Sequence, residues 1–407
     1  MSDAVDLFIE EARGVSVVEA ALIIGVPMTT KNHAGPCPIC GGKDRFSISP
    51  SKQAWNCRQC GKGGKDGISL IAHAYHYDTS SRTGFLAACS DSLQRSVPHG
   101  GETESESDRR ARLDRIDEQK RRNADRAAAN EKQQNDFRQR EIDRSRGIYL
   151  KAPEQARSPL PDYLSARTGF RMAPGVFLNL RCDPRATYWH GKDDRGFERS
   201  HFVGPAMIAP FVDLSGRITG CHQTWIDMAN APKFRPDLGE ADDGTPLPTK
   251  KMRGSKKGSI IPLFGLMTSR RWVGGEGIEN GLAIAGAEGF RSDTFYFAAG
   301  DLGNLAGPAD TKSSFSHPDL KKIDARGRQL SIRVAGPDPK PNQGADEAMQ
   351  VADHVDHLIL LADGDSEIWF TAAAMARAEK RLTRDDRVIE TWWPPERMDF
   401  AALMAGQ

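Results

Sequence analysis

The chain has 407 residues, more than one hydrophobic core usually holds, so two or three domains are expected. Its 38% hydrophobic and 27% charged residues are those of a globular protein with a polar tilt. No apolar run reaches the roughly eighteen residues of a membrane span, so no membrane partner is expected. A formal net charge of +1 gives no basic field over the whole molecule, and any nucleic-acid contact has to come from local clusters of Lys and Arg.

In chain order, the N-terminus MSDAVDLFIEEARG is acidic and amphipathic and lacks the basic flank and apolar stretch of a secretory signal, which places the protein in the cytoplasm. Residues 3–12 and 15–25 read as two short helices, the second stopped by Gly25 and Pro27. Cys37-Pro-Ile-Cys40 is followed after 16 residues by Cys57-Arg-Gln-Cys60. An odd total of seven cysteines, four of them in these pairs, favours metal ligation over disulfides in a reducing compartment. The spacing is that of a four-cysteine zinc ribbon, in which each CxxC turn sets two thiolates on one side of the ion. Four thiolates leave no open position, so one structural Zn2+ per chain is expected. Cys89, Cys182 and Cys221 read as packing residues, and His33, His73 and His76 as surface or packing residues. Lys43, Arg45, Arg58 and Trp55 would put cations and an aromatic face on the ribbon, suited to single-stranded DNA, although Phe46 and Trp55 better suit its small core. GISLIAHAYHYD and TGFLAACSDSLQR read as helices that close this unit near residue 96.

The next stretch is rich in both charge signs and almost empty of large apolar residues. Asp108 with Arg112, Asp117 with Arg121 and Glu118 with Arg122 lie four apart, as on an exposed single helix, and a solvated linker is expected. The chain then becomes globular. AMIAPFVD and RITGCHQTWID read as a hairpin, with His222 as a structural residue, followed by the basic run Lys250, Lys251, Arg253, Lys256 and Lys257. Strand-like and helix-like runs alternate after that, the pattern of an α/β sheet that is at least partly parallel. WVGGEGIENGLAIAG sets Glu276 at the end of a strand, and HLILLADGDSE sets Asp363 and Asp365 in the same position, each with a helix after it. Carboxylates at the carboxyl edge of such a sheet can converge on one hard cation. Glu279 reads as helping to start its helix, and Glu367 as an extra acid.

The text around the cysteines, CPICGGKDRFSI and AWNCRQCGKGGKDGISLIA, resembles the zinc-binding domain of bacterial and phage primases, and the two acidic motifs resemble the Toprim domain. Composition and the resemblance together give five parts: helices and zinc-binding domain at 1–96, a helical charged linker at 97–158, an N-terminal subdomain of the polymerase core at 159–268, a Rossmann-like Toprim catalytic domain at 269–390, and a tail at 391–407. It implies a DNA primase that joins ribonucleoside triphosphates into short RNA primers on single-stranded DNA. Glu276, Asp363 and Asp365 would be the catalytic residues and would hold Mg2+, for which Mn2+ can substitute. The basic run would grip triphosphate or template. A stretch of about forty residues, 306–348, is longer than the resemblance leads one to expect. No GxxxxGK[ST] loop is present, so a replicative helicase is expected on a separate chain. Type I topoisomerases and RecR-type recombination mediators combine similar parts in other orders. The competing reading is a zinc/Toprim protein that binds single-stranded DNA or mediates recombination without catalysis.

Overall fold

The computed structural model describes residues 3–28, 32–98, 105–153, 158–241, 244–323 and 328–406. It divides into two units, Met1–Asp136 and Phe137–Gln407.

In the first unit, α1 (Asp3–Arg13) and α2 (Val17–Ile23) precede a four-stranded antiparallel meander of β1 (His33–Cys37), β2 (Gly41–Ser49), β3 (Ala54–Cys57) and β4 (Lys62–Gly64). Ser16 and Glu19 form a capping box on α2: Ser16 Oγ accepts from Glu19 N–H at 3.1 Å and Glu19 accepts from Ser16 N–H at 2.8 Å. α3 (Gly67–Ala74), capped by Asp66, and α4 (Arg82–Leu93) follow. Phe46, Ile48 and Trp55 from the meander and Leu70 and Ile71 from α3 fill one core. The aromatic pair is therefore core, and the stacking face considered for Trp55 is not there.

α5 (Glu106–Lys151) is a single helix of 46 residues. Most of it is exposed, and Glu118 and Arg122 pair at 2.5 Å, while the side chains of Asp108 and Arg112 lie outside those described. It is more than a solvated spacer. Ile116 is buried, Gln119 and Asn123 each donate to the Gly14 carbonyl at 3.0 Å, and near the other end Tyr149 and Ala152 enter a core of the second unit. These apolar anchors are too sparse to give a 3.6-residue period.

The second unit opens with α6 (Leu160–Thr168) and an antiparallel sheet of β5 (Arg181–Lys192), β6 (Glu198–Val212), β7 (Ile218–Trp225) and β8 (Lys250–Gly254) in sequence order. The β6–β7 hairpin turns on Asp213, which accepts from Ser215 N–H and Arg217 N–H. A second sheet follows from β9 (Ile261–Phe264), β10 (Arg271–Gly275), α7 (Ile278–Ala287), β11 (Thr294–Ala298), α8 (Leu302–Ala306), a separate hairpin of β12 (Phe315–Ile323) and β13 (Gln329–Val334), then β14 (His357–Leu361), α9 (Ile368–Leu382), β15 (Val388–Trp392) and α10 (Phe400–Met404). Its order is β15-β14-β10-β11-β9, parallel except for β9. Side-chain alternation divides the strands between two cores: Val273, Tyr296 and Ile359 face one, Trp272, Phe295 and Leu358 the other. Burial on both faces is why these strands read as continuous apolar runs.

Two boundaries drawn from the sequence cut this sheet. β9 precedes residue 268 and β15 crosses residue 390, yet both are edge strands of it. The segment after β15 is packed as well: Phe400 and Ala401 are buried, Ala401 N–H donates to Asn280 Oδ1 at 3.1 Å, and Arg397 N–H donates to the Gly364 carbonyl at 2.9 Å.

Candidate metal centre and acidic cleft

Each CxxC sits at a strand end, Cys37 closing β1 and Cys57 closing β3, with the second cysteine in the turn beyond. Each turn ends in a glycine of positive φ, Gly41 and Gly61 both at 63°, a conformation that a Cβ would strain. The backbone N–H of Ile39 approaches Cys37 Sγ and that of Cys60 approaches Cys57 Sγ, both at 3.4 Å. Across the two turns Cys37 and Cys60 are 3.9 Å apart and Cys40 and Cys57 3.5 Å apart, sulfur to sulfur. Four thiolates about 2.3 Å from a tetrahedral Zn2+ would stand about 3.8 Å apart, so the residues fit the ion. The thiols do not titrate alike. Burial opposes ionisation of Cys57, yet the Cys60 N–H and neighbouring thiols bring it down to about 7, whereas burial and the other three thiols push Cys60 up.

His73 proves to be more than a packing residue. Its Nε2 lies 3.4 Å from Cys37 Sγ, its ring stacks on Trp55 at 4.7 Å, and its ligand atom falls within 4.8 Å of those of Cys37, Cys57 and Cys60. A separation of 3.4 Å also suits two ligands of one tetrahedral Zn2+, so the metal-sized group drawn together here is Cys37, Cys57, Cys60 and His73, with Cys40 outside it and 3.5 Å from Cys57. Cys89, Cys182 and Cys221 are buried with their thiols pushed up by burial, Cys89 to about 11 and Cys221 to about 12, as inert packing residues should be. Lys43 and Arg45 are exposed on one face of β2, and Arg58, also exposed, donates its N–H to the Arg45 carbonyl.

In the second unit, β10–α7–β11 runs one way from the middle of the parallel sheet and β14–α9–β15 the other. The crevice at such a switch point, beyond the carboxyl ends of β10 and β14, is where open sheets take ligands. Glu276 follows β10 directly, and Asp363 and Asp365 follow β14; all three line one cleft of about 360 Å³. Burial raises the Glu276 carboxyl despite Lys250, and Asp365 adds to the rise. Burial together with the Asp365 and Glu276 carboxyls pushes Asp363 up to about 7, against one hydrogen bond from Ser366 at 2.9 Å. Asp363 Oδ1 is buried and has no hydrogen-bond partner. These carboxylates resist ionising together, a cost that a bound cation removes.

The cleft lining also carries cations, and most of them were not foreseen. Arg167, Lys233 and Arg235 line the cleft alongside Lys250, with His222 and Asp399. His222, expected to be structural, is held neutral by burial and Lys250, which push it down to about 3. Glu279 does not cap its helix. It is buried, accepts from Tyr163 Oη and from Arg235, both at 2.6 Å, and faces Lys250 Nζ at 3.5 Å. Burial would raise its carboxyl, but Lys250 and Arg235 hold it well below the usual range. Glu279 thus fixes two cations of the cleft lining. Glu279→Gln is expected to cost about 2–4 kcal/mol of unfolding free energy by leaving the half-buried Arg235 without its counter-charge. Urea denaturation reads this directly, and an unchanged midpoint would show that the three donors find other partners.

The basic run is split by strand alternation. Lys250 pairs with Thr224 and Met252 with His222 on the cleft face. Lys251 points away, over the Tyr188 ring at 3.7 Å and donating to the Trp189 carbonyl, and Arg253 stands 3.9 Å from Glu198. Lys256 pairs with Asp301, the cap of α8, and Lys257 is exposed. Glu367 caps α9, accepting from Phe370 N–H at 2.9 Å.

Residues 32–68 match the zinc-binding domain of primase-helicase. The chain resembles bacterial and phage-type primases. Residues 139–263 match a domain of unknown function (DUF7146). Among solved structures, the DnaG primase catalytic domain bound to ssDNA is 13% identical over 68% of this chain and 78% of that one, with a TM-score of 0.36. A DNA primase domain from Pseudomonas aeruginosa is 13% identical over 65% and 74%, TM-score 0.32. The primase fragment of the bacteriophage T7 primase-helicase protein is 11% identical over 92% and 95%, TM-score 0.29. At these TM-scores the likeness to solved structures assigns no role to any residue of the cleft.

Proposed function

We propose that the chain is a DNA primase that joins ribonucleoside triphosphates into short RNA primers on single-stranded DNA at the acidic cleft. In this reading the sheet of β9, β10, β11, β14 and β15 with its helices is a Toprim catalytic domain, the β5–β8 sheet with α6 the N-terminal part of the polymerase core, and 1–96 the zinc-bearing module that reads the template. One observation carries it. Three carboxylates from the ends of two adjacent parallel strands share a cleft with cations of its lining, in a chain whose zinc ribbon is of the primase-helicase type.

Glu276, Asp363 and Asp365 would hold Mg2+, and the partnerless Asp363 Oδ1 is the atom most in need of a cation. The three do not form a group of ligand atoms within 4.8 Å of one another, which suits an ion that keeps several waters and takes further oxygens from a triphosphate. Bound there, Mg2+ would activate a ribonucleotide 3'-hydroxyl and offset charge on the leaving pyrophosphate. Lys250 and Arg235, held by Glu279, would bind the triphosphate oxygens, joined by Lys233 from the same lining. The neutral His222 adds no charge to compete with them. A replicative helicase on a separate chain would be the partner at the fork.

The direct test incubates the purified full chain with single-stranded DNA of mixed sequence, Mg2+ and labelled ribonucleotides. Short labelled oligomers that require the template establish the activity. Intact DNA binding with no oligomer would leave the non-catalytic binding protein as the better reading.

A further inference from the structure

The segment between α8 and β14, longer than expected, contains the β12–β13 hairpin, which none of the cleft chemistry uses. Its base is tied to the acidic loop. His317 is buried, and its Nδ1 accepts from the N–H groups of Asp319 at 3.1 Å and Leu320 at 2.9 Å. Its Nε2 stands 2.9 Å from Glu367 Oε1, the cap of α9 two residues past Asp365. Phe315 meets Trp369 edge-on at 6.4 Å.

Past that base the hairpin presents its side chains to water. Ile323 is 73% exposed, Leu320 and Leu330 are exposed, and so are Lys321, Lys322 and Arg333. Asp319 is the one acid on the two strands. Trp369 is 44% exposed and Ile368 53%, on the first turn of α9 directly after the acidic loop. A two-stranded ribbon gains little stability from showing apolar side chains to water, so this composition points to a ligand. Cations interleaved with apolar and aromatic surface match single-stranded nucleic acid, whose phosphates attract the lysines and whose bases stack on flat faces. A protein partner would favour a contiguous apolar patch, which the lysines interrupt.

We propose that the β12–β13 hairpin, with Trp369 at its foot, binds a single strand of nucleic acid and leads it to the acidic cleft. Only the last clause rests on the primase reading.

The test is fluorescence anisotropy of a labelled oligo-dT with the full chain over a series of salt concentrations. Lys321→Gln/Lys322→Gln is expected to reduce the slope of log affinity against log salt by about 1.4, two phosphate contacts at about 0.7 each. Trp369→Ala is expected to weaken binding on the order of tenfold at every salt concentration with the slope unchanged. Thermal midpoints like that of the wild type show that both variants fold. An unchanged slope in the lysine variant, or no oligo-dT binding by the wild type, overturns the proposal. Primer synthesis is read in parallel on the same proteins. Hairpin-dependent binding with no synthesis by the wild type would sink the primase reading and leave this one standing. Synthesis with binding indifferent to the hairpin would do the reverse.

Discussion

Asp363→Ala/Asp365→Ala is expected to reduce template-directed synthesis by at least about a thousandfold, because the remaining carboxylate cannot hold the cation that offsets charge at the transferring phosphate. The same change should leave the chain folded and, without metal, more stable than the wild type above neutral pH. The sign follows from the environment of Asp363. Its carboxyl is raised from the usual 3.8 to about 7 by burial and by the Asp365 and Glu276 carboxyls. Folding therefore favours the protonated form, and the stability tied to that proton is fully present below about pH 4 and lost as pH rises through about 7. Allowing for the part of the site open to water, the loss is about 1–2 kcal/mol. Metal-free wild type should show a midpoint that falls between about pH 4 and about pH 7, and the double variant a flatter profile. Asp363→Asn, which keeps the shape, should flatten it as well. Mg2+ should restore the wild type near pH 8 and leave the variants unmoved. Synthesis surviving in the double variant would remove the acidic cleft from the chemistry altogether.

Cys57→Ser should have the other large effect. The wild type is expected to carry about one Zn2+ per chain and the variant almost none. Apparent binding energies of structural zinc, about 10–16 kcal/mol, exceed the net stability of a small domain. The strands that hold the sulfurs also supply Phe46, Ile48 and Trp55 to the core that α3 closes. Loss of the ion should therefore expose backbone amides throughout 33–74 to hydrogen exchange, while amides of β10 and β14 in the second unit keep their protection. A variant that is free of zinc yet protected to the same extent in 33–74 would overturn the ribbon assignment.

The parts that were legible from sequence are those whose chemistry is local. Two CxxC turns announce a metal through their own spacing, and Glu276, Asp363 and Asp365 each close an apolar run and open a helix. Most cations of the cleft lining were not legible, because Arg167, Lys233 and Arg235 come from segments far from the acids and carry no pattern of their own. The run from Lys250 to Lys257 looked like one patch, but the two-residue period of β8 sends Lys250 and Lys251 to opposite faces. Glu279 lay in a position that suits helix starts, and only the arrival of Tyr163 and Arg235 makes it the holder of two cations. His73 lies sixteen residues or more from three of the four cysteines, and one turn of α3 brings it against Cys37.

The docking of α10 has a bearing on how the protein is made. Phe400 packs in the same core as Leu160 and Leu164 from the start of the unit, Asp399 stands 3.7 Å from Arg167 at the cleft, and the Met398 carbonyl lies where a side chain on Gly364 would be. Contacts this distant in sequence form only after the entropy of closing a long loop has been met, and during synthesis only after the last of the participating residues has left the ribosome. A nascent chain that already contains Glu276, Asp363 and Asp365 still lacks Asp399 and α10, so the cleft is completed only after residues 399–404 have followed the acids out of the ribosome.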